Sequence, residues 1–189
     1  MWLGIKGYNP PIYSEKDSLL KTNRVQLLEL IGRKLTASFA VWHITNNEWF
    51  TECPVILIFD GIQLEICFQK MNDCAVSWNT IDTTQIIDWY GMNNEFPLEW
   101  RKNSLNEINR LRGMSIKEVN ILEYQMETVV IENRIDPSQE GRQFKSDWML
   151  NGLEFMSGIH RFVLFNALDT NGIESESRVG DDIRRTSIQ

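Results

Sequence analysis

Cysteine is scarce and odd in number. Cys53, Cys67 and Cys74 are the only ones in 189 residues, and no two stand at Cys-x-x-Cys spacing. That excludes a disulfide framework and a zinc ribbon, and it reads as reduced structural thiols in a cytoplasmic compartment. Histidine is scarcer still. His43 and His160 stand far apart, and neither has a His, Cys or Glu companion at metal-ligand spacing, so neither a metal nor a cofactor is expected. Long apolar runs are missing. The longest clean one is Val55 to Phe59, against the ~20 residues a membrane helix needs. The opening residues, Met1-Trp2-Leu3-Gly4-Ile5-Lys6-Gly7, lack the apolar core of a signal peptide. Basic charge is also short: 19 Lys and Arg stand against 26 Asp and Glu, a formal net charge of −7 with no Lys/Arg cluster. Nucleic acid and anionic membrane surfaces are excluded as expected partners. No Gly-x-Ser-x-Gly, phosphate-binding loop, dinucleotide fingerprint or His-Glu-x-x-His occurs, and no catalytic residue is assigned.

What is present supports an ordinary folded core, with 42% apolar and 24% charged residues. A half-hidden repeat organises it. Phe59-Asp60-Gly61-Ile62 is answered by Met156-Ser157-Gly158-Ile159, 97 positions later from Gly61 to Gly158. Upstream, Leu30-Ile31-Gly32 is answered by Leu111-Arg112-Gly113, 81 positions on. The expected fold class is α+β, mainly antiparallel β, with two similar strand-plus-hairpin halves, each preceded by a short helix. Residues 1–96 make the first half, with an N-terminal arm. Residues 97–189 make the second, with an inserted loop at 132–147 and a polar, fraying tail from Glu174. The two halves are expected to form one body.

Asp60-Gly61 between β-rich runs is the strongest hairpin signal in the chain, because both turn residues must take positive φ. A two-residue turn there pairs Phe59 with Ile62, Leu57 with Leu64 and Val55 with Ile66, all on one face that must be buried. The opposite face pairs Ile58 with Gln63 and Ile56 with Glu65 and is half polar.

The second hairpin is less regular. With Ser157-Gly158 as a two-residue turn, Glu154 faces Arg161 and both faces are largely apolar; a three-residue turn would change the pairing. Helices are expected over Val25–Ile31, ended by Gly32, and from Ser104, with Ser104 as cap and Glu107 at the capping-box position. Strands are expected over Leu35–Ile44 and within Met114–Ile131, and one or two helical turns between Thr83 and Tyr90. Asp169-Thr170-Asn171-Gly172 resembles part of a calcium loop but lacks its acidic spacing, so it reads as a turn at Asn171-Gly172.

Seven tryptophans are an unusual supply, and Trp49, Trp78, Trp89 and Trp100 fall near expected loops. Exposed aromatics on an acidic chain suit a protein partner better than a nucleic acid. The sequence therefore points to a non-enzymatic interaction protein, an adaptor or an immunity-type inhibitor of a basic partner, with self-association through the second hairpin as another route. The alternative is a small-ligand module with a pocket between the halves near Glu154, His160 and Arg161. The candidate binding residues are Glu154, His160, Arg161, Trp78 and Trp89. An enzyme ranks third and would have to draw on scattered residues such as His43, Asp60 and His160.

Overall fold

In the computed structural model the Asp60-Gly61 turn forms with both residues at positive φ, 44° and 89°. The strands on either side pair in the register that their alternation demands: Phe59 with Ile62, Leu57 with Leu64, Val55 with Ile66. The structure describes residues 2–92, 95–130, 142–176, 178 and 180–188.

Two antiparallel sheets are built along the chain. The first contains β1 (Ile12–Tyr13), β2 (Leu35–His43), β3 (Glu48–Trp49), β4 (Val55–Phe59), β5 (Ile62–Gln69), β6 (Asp73–Trp78) and β7 (Leu98–Lys102). Its main path runs β1-β6-β5-β4-β2, with β7 on the free edge of β2 and β3 beside the far end of β2. The second contains β8 (Glu118–Val130), β9 (Arg142–Ser157), β10 (His160–Asn166), β11 (Asn171–Glu174) and β12 (Ile183–Ser187), in the order β11-β10-β9-β8-β12. Helix α1 (Lys16–Glu29) precedes β2, and the single turn α2 (Asn106–Asn109) precedes β8. The strand Leu98–Lys102 lies past the expected boundary at 96 yet pairs with β2 in the first sheet.

The inner faces of the sheets close on one core. Leu57, Phe59, Leu64 and Ile66 of the first meet Leu153, Phe155, Phe162 and Leu164 of the second, with Leu19, Leu27 and Leu30 of the α1 region packed in. Phe155 stacks between Phe59 and Phe162, with ring centroids 5.8 and 5.1 Å away. Each such side chain contributes about 1.5–3 kcal/mol by leaving water. A second cluster lies on the outer face of the first sheet, where Ile56, Cys67 and Val41 are covered by Leu3, Ile5 and Tyr8 of the arm and by Ile81, Ile87 and Trp89.

Several elements depart from expectation, each for a physical reason. Helix α1 begins nine residues early, at Lys16. Its buried stripe is Leu19, Asn23 and Leu27, and the polar Asn23 hides the helical period. Asn23 is satisfied in place: its amide donates to the Leu19 carbonyl and its oxygen accepts the Trp78 indole N–H at 2.8 Å. Ser104 does not cap α2. Its hydroxyl accepts the Trp42 indole N–H and donates to the Arg101 carbonyl instead. Between Thr83 and Tyr90 only a tight turn at Trp89–Gly91 is helical.

The second hairpin turns at Gly158-Ile159, one residue later than expected, with His160 opposite Ser157 and Phe162 opposite Phe155. Gly158 supplies the positive φ, 63°, at the first turn position, whereas Ser157-Gly158 would have forced a serine there. Glu154 thus faces Val163, not Arg161. The third hairpin turn likewise falls at Leu168-Asp169, and Asn171-Gly172 lies inside β11. Residues 142–147 of the expected inserted loop belong to β9, and 132–141 lie outside the described residues. The polar tail is not frayed, since 183–187 form β12 along β8 and Ile188 is buried.

Four backbone bonds join the two glycine-ended segments. Gly32 N–H donates to Ile116 O and Gly113 N–H to Leu35 O, each at 2.7 Å. Leu35 N–H donates to Met114 O at 3.1 Å and Ile116 N–H to Arg33 O at 2.8 Å. Each bond maps onto another when its end in the first segment moves forward, and its end in the second moves back, by the 81 positions that separate Gly32 from Gly113.

Candidate functional site

The five expected binding residues do not form one site. Trp89 is buried in the outer cluster, edge-on to Phe50 at 4.8 Å, and Trp78 packs on the main core while bonding Asn23. His160 is exposed beside the second hairpin turn. Glu154 and Arg161 do meet, diagonally across strands at 3.5 Å, but Glu154 is wholly enclosed. Its main partner is Arg185 of β12, whose guanidinium forks onto it at 2.8 and 3.2 Å, and Asn120 donates to it at 2.9 Å. Arg184, the preceding residue, points to the opposite face and forks onto Glu123 at 2.7 Å on both bonds. Burial pushes the Glu123 carboxyl up, but hydrogen bonds from Arg184 and Lys16 outweigh it and hold the group below its ordinary range. Nothing but two adjacent arginines in a polar tail signals this latch in the sequence.

His43 and Asp60 are engaged elsewhere. His43 accepts the Asn46 N–H on Nδ1 and stands edge-on to Phe96. Asp60 accepts the Lys34 N–H at 2.8 Å, tying its turn to β2. All three thiols are buried; burial pushes Cys53 and Cys74 up and Cys67 to about 12. Among the described residues no three His, Cys, Asp or Glu side chains gather as a metal site. No helix among them is long and apolar enough to cross a membrane.

A different surface stands out on the outer layer of the first sheet. Ile86 is 74% exposed and Tyr90 65%, and Ile44 and Phe96 are exposed as well. The Ile44 N–H donates to the carbonyl of Pro97, the residue after Phe96, and Phe96 stands edge-on to His43. Ile86 and Tyr90 flank Ile87 and Trp89, which are buried, so the segment is pinned by its inward residues and shows its outward ones.

The pinning is extensive. Glu65, fully buried on β5, accepts from Gln63 Nε2 (2.6 Å), Ser77 Oγ (2.5 Å), Thr80 N (2.8 Å), Thr80 Oγ1 (3.0 Å) and Ile81 N (3.2 Å). The carboxylate is thereby satisfied and clamps the start of the segment. Asp82 accepts from the Thr84 hydroxyl and N–H and from Gln85, and these bonds hold its carboxyl below the ordinary value. Asp88 N–H donates to Gly4 O at 3.0 Å. A Cβ on Gly4 would sit 2.0 Å from the Asp88 carbonyl oxygen, so only glycine lets the arm close over this point.

Tyr90 has φ 49° and ψ 30°, a left-handed conformation that costs a non-glycine residue about 1–2 kcal/mol. Carboxylates adjoin these residues: Glu48 pairs with His43, and Asp88 and Glu95 stand next to Ile87 and Phe96 in the chain. Arg101, the cation near Trp42, is held by Glu99 and Asn47.

No protein-family model matches the chain, and no curated protein or solved structure matches it.

Proposed function

We propose that the chain is a non-enzymatic cytoplasmic interaction protein, an adaptor or an immunity-type inhibitor, that binds a basic protein through Ile86, Tyr90, Phe96 and Ile44. One observation carries the reading: a large aromatic side chain, 65% exposed, is kept on a strained backbone position by a segment anchored on both sides. Burying apolar side chains from a rigid segment gains affinity without the entropy loss of ordering a loop. An apolar centre with a polar rim is the usual anatomy of a recognition surface. Here carboxylates adjoin the apolar residues and the whole chain carries −7, which steers a basic partner toward it and repels an acidic one.

The same reading takes the two halves as copies of one unit, a helix followed by a four-stranded meander: α1-β2-β4-β5-β6 and α2-β8-β9-β10-β11. The 81-position symmetry of the glycine bonds supports it. So does equivalent pairing of the strands that follow: Ser38 with Leu57 answers Val119 with Phe155, and Phe39 with Ile56 answers Asn120 with Glu154. The hairpins then correspond at 98 positions, one more than the glycine match in the sequence suggests. In this view the first copy kept its outer apolar face, covered it with the arm and residues 79–92, and gained the binding surface there.

A photo-crosslinking amino acid placed at Ile86 in the cell that makes the protein tests the proposal. The expected result is one dominant adduct with a basic protein, absent when the same group replaces the exposed Val25 on α1. Equal labelling from both positions would count against it.

A further inference from the structure

A cleft of about 290 Å³ opens where the β5–β6 turn of the first sheet meets the second sheet. It shares no residue with the Ile86–Tyr90 surface, so it stands or falls separately. Its lining is apolar at Met71, Met149, Leu150 and Leu168 and polar at Tyr124, Asn151, Asn166 and Arg178. The volume is at the small end of ligand sites, and apolar walls with a few convergent polar groups are their usual make-up.

The polar lining is braced in one direction and open in another. Arg178 stacks on the Phe165 ring at 3.4 Å, donates through Nε to Glu174 and through Nη1 to Asn151 Oδ1 at 3.3 Å. Asn151 in turn donates to the Asn166 carbonyl, and Asn166 donates to the Lys70 carbonyl and accepts from Asp169 N–H. The two carboxamides are therefore engaged with the protein. The Nη2 of Arg178 and the hydroxyl of Tyr124 have no partner among the described residues. Both are donors lining one cleft, and a guanidinium and a phenol suit a carboxylate oxygen.

Leu168 supplies the second observation. It stands 76% exposed at the cleft with φ 60°, followed by Asp169 at φ 73°, so this hairpin turn holds both central residues in the left-handed region. Asn-Gly is the preferred pair for such a turn, and a leucine there is both strained and wasted on solvent unless its side chain covers something.

The geometry points to a small amphipathic carboxylate as the occupant, its apolar part lying between Met71, Met149 and Leu168 and its carboxylate on Arg178 and Tyr124. The probes are octanoate and octan-1-ol, titrated into protein labelled with ¹³C at the methionine methyls, alongside Leu168→Asn and Arg178→Met. Octanoate is expected to shift Met71 and Met149 saturably and at least tenfold more tightly than octanol. Leu168→Asn is expected to keep or raise the unfolding midpoint yet weaken octanoate at least fivefold. Arg178→Met is expected to bring octanoate down to the octanol level. Non-saturable shifts spread over all the methionines would overturn the proposal. So would equal binding of the two probes by the wild type, or unchanged octanoate binding by a folded Leu168→Asn.

Discussion

The backbone N–H of Gly32 donates to the carbonyl of Ile116 at 2.7 Å, and the symmetric bond runs from Gly113 to Leu35. Both glycines are left-handed, with φ 87° and 83°, and a Cβ on either would meet nothing within 4 Å. The cost of a side chain there is therefore backbone strain alone. Gly32→Ala and Gly113→Ala are each expected to destabilise by about 1–2 kcal/mol, and by similar amounts. Urea unfolding checks this, with the slope against denaturant unchanged.

Asn171 ties the two sheets together. Its amide donates to the carbonyls of Thr51 (2.7 Å) and Cys53 (2.8 Å), its side-chain oxygen accepts the Phe68 N–H (2.8 Å), and its own N–H donates to Thr51 O (3.0 Å). Asn171→Ala leaves buried backbone groups unpaired, at a cost of about 2–4 kcal/mol. The same denaturation experiment reads it, and the amide of Phe68 should lose hydrogen-exchange protection.

The fold was legible where side-chain period and turn chemistry agree. Asp60-Gly61 with its flanking alternation specified a register residue by residue, because a slip would have put Phe59, Leu57 and Val55 in water. It was illegible where a polar residue is buried by a distant partner. Asn23, satisfied by Trp78, broke the helical pattern of α1, and Arg184 and Arg185 looked like tail residues because Glu123 and Glu154 lie far off in sequence. The exposed segment around Tyr90 was half legible. The sequence offers Trp89 as the exposed aromatic near a loop, whereas Trp89 is the buried anchor and its neighbour Tyr90 is the one displayed.

Acid should release the tail latch. Because hydrogen bonds hold the folded Glu123 below its ordinary value of 4.5, the unfolded chain takes up this proton more readily. The stabilisation is complete above about pH 4.5, the unfolded value, and is lost as pH falls through the lower folded value. With Arg184 partly in solvent, the pair is worth about 1–2 kcal/mol. Glu123→Gln should lose that amount at pH 7 and show a flatter fall in stability between pH 5 and pH 3.

The thiols should be silent in the folded protein. Burial pushes Cys67 to about 12, which leaves on the order of one thiolate in 10⁴ at pH 8, before access is considered. A disulfide-forming thiol reagent should titrate no cysteine in the native protein over minutes and all three in denaturant. The native reaction should speed up in Asn171→Ala by about tenfold for each ~1.4 kcal/mol of stability lost.

The strained tyrosine gives the most direct test of the binding account. Glycine accepts φ 49° without strain, so Tyr90→Gly should unfold at the same or a higher denaturant concentration. If the side chain is held there to bind a basic protein, co-purification of that protein from the native cell, quantified by mass spectrometry against the wild type, should fall at least tenfold. A Tyr90→Gly protein that is equally stable and recovers the same partner in the same amount would contradict the account.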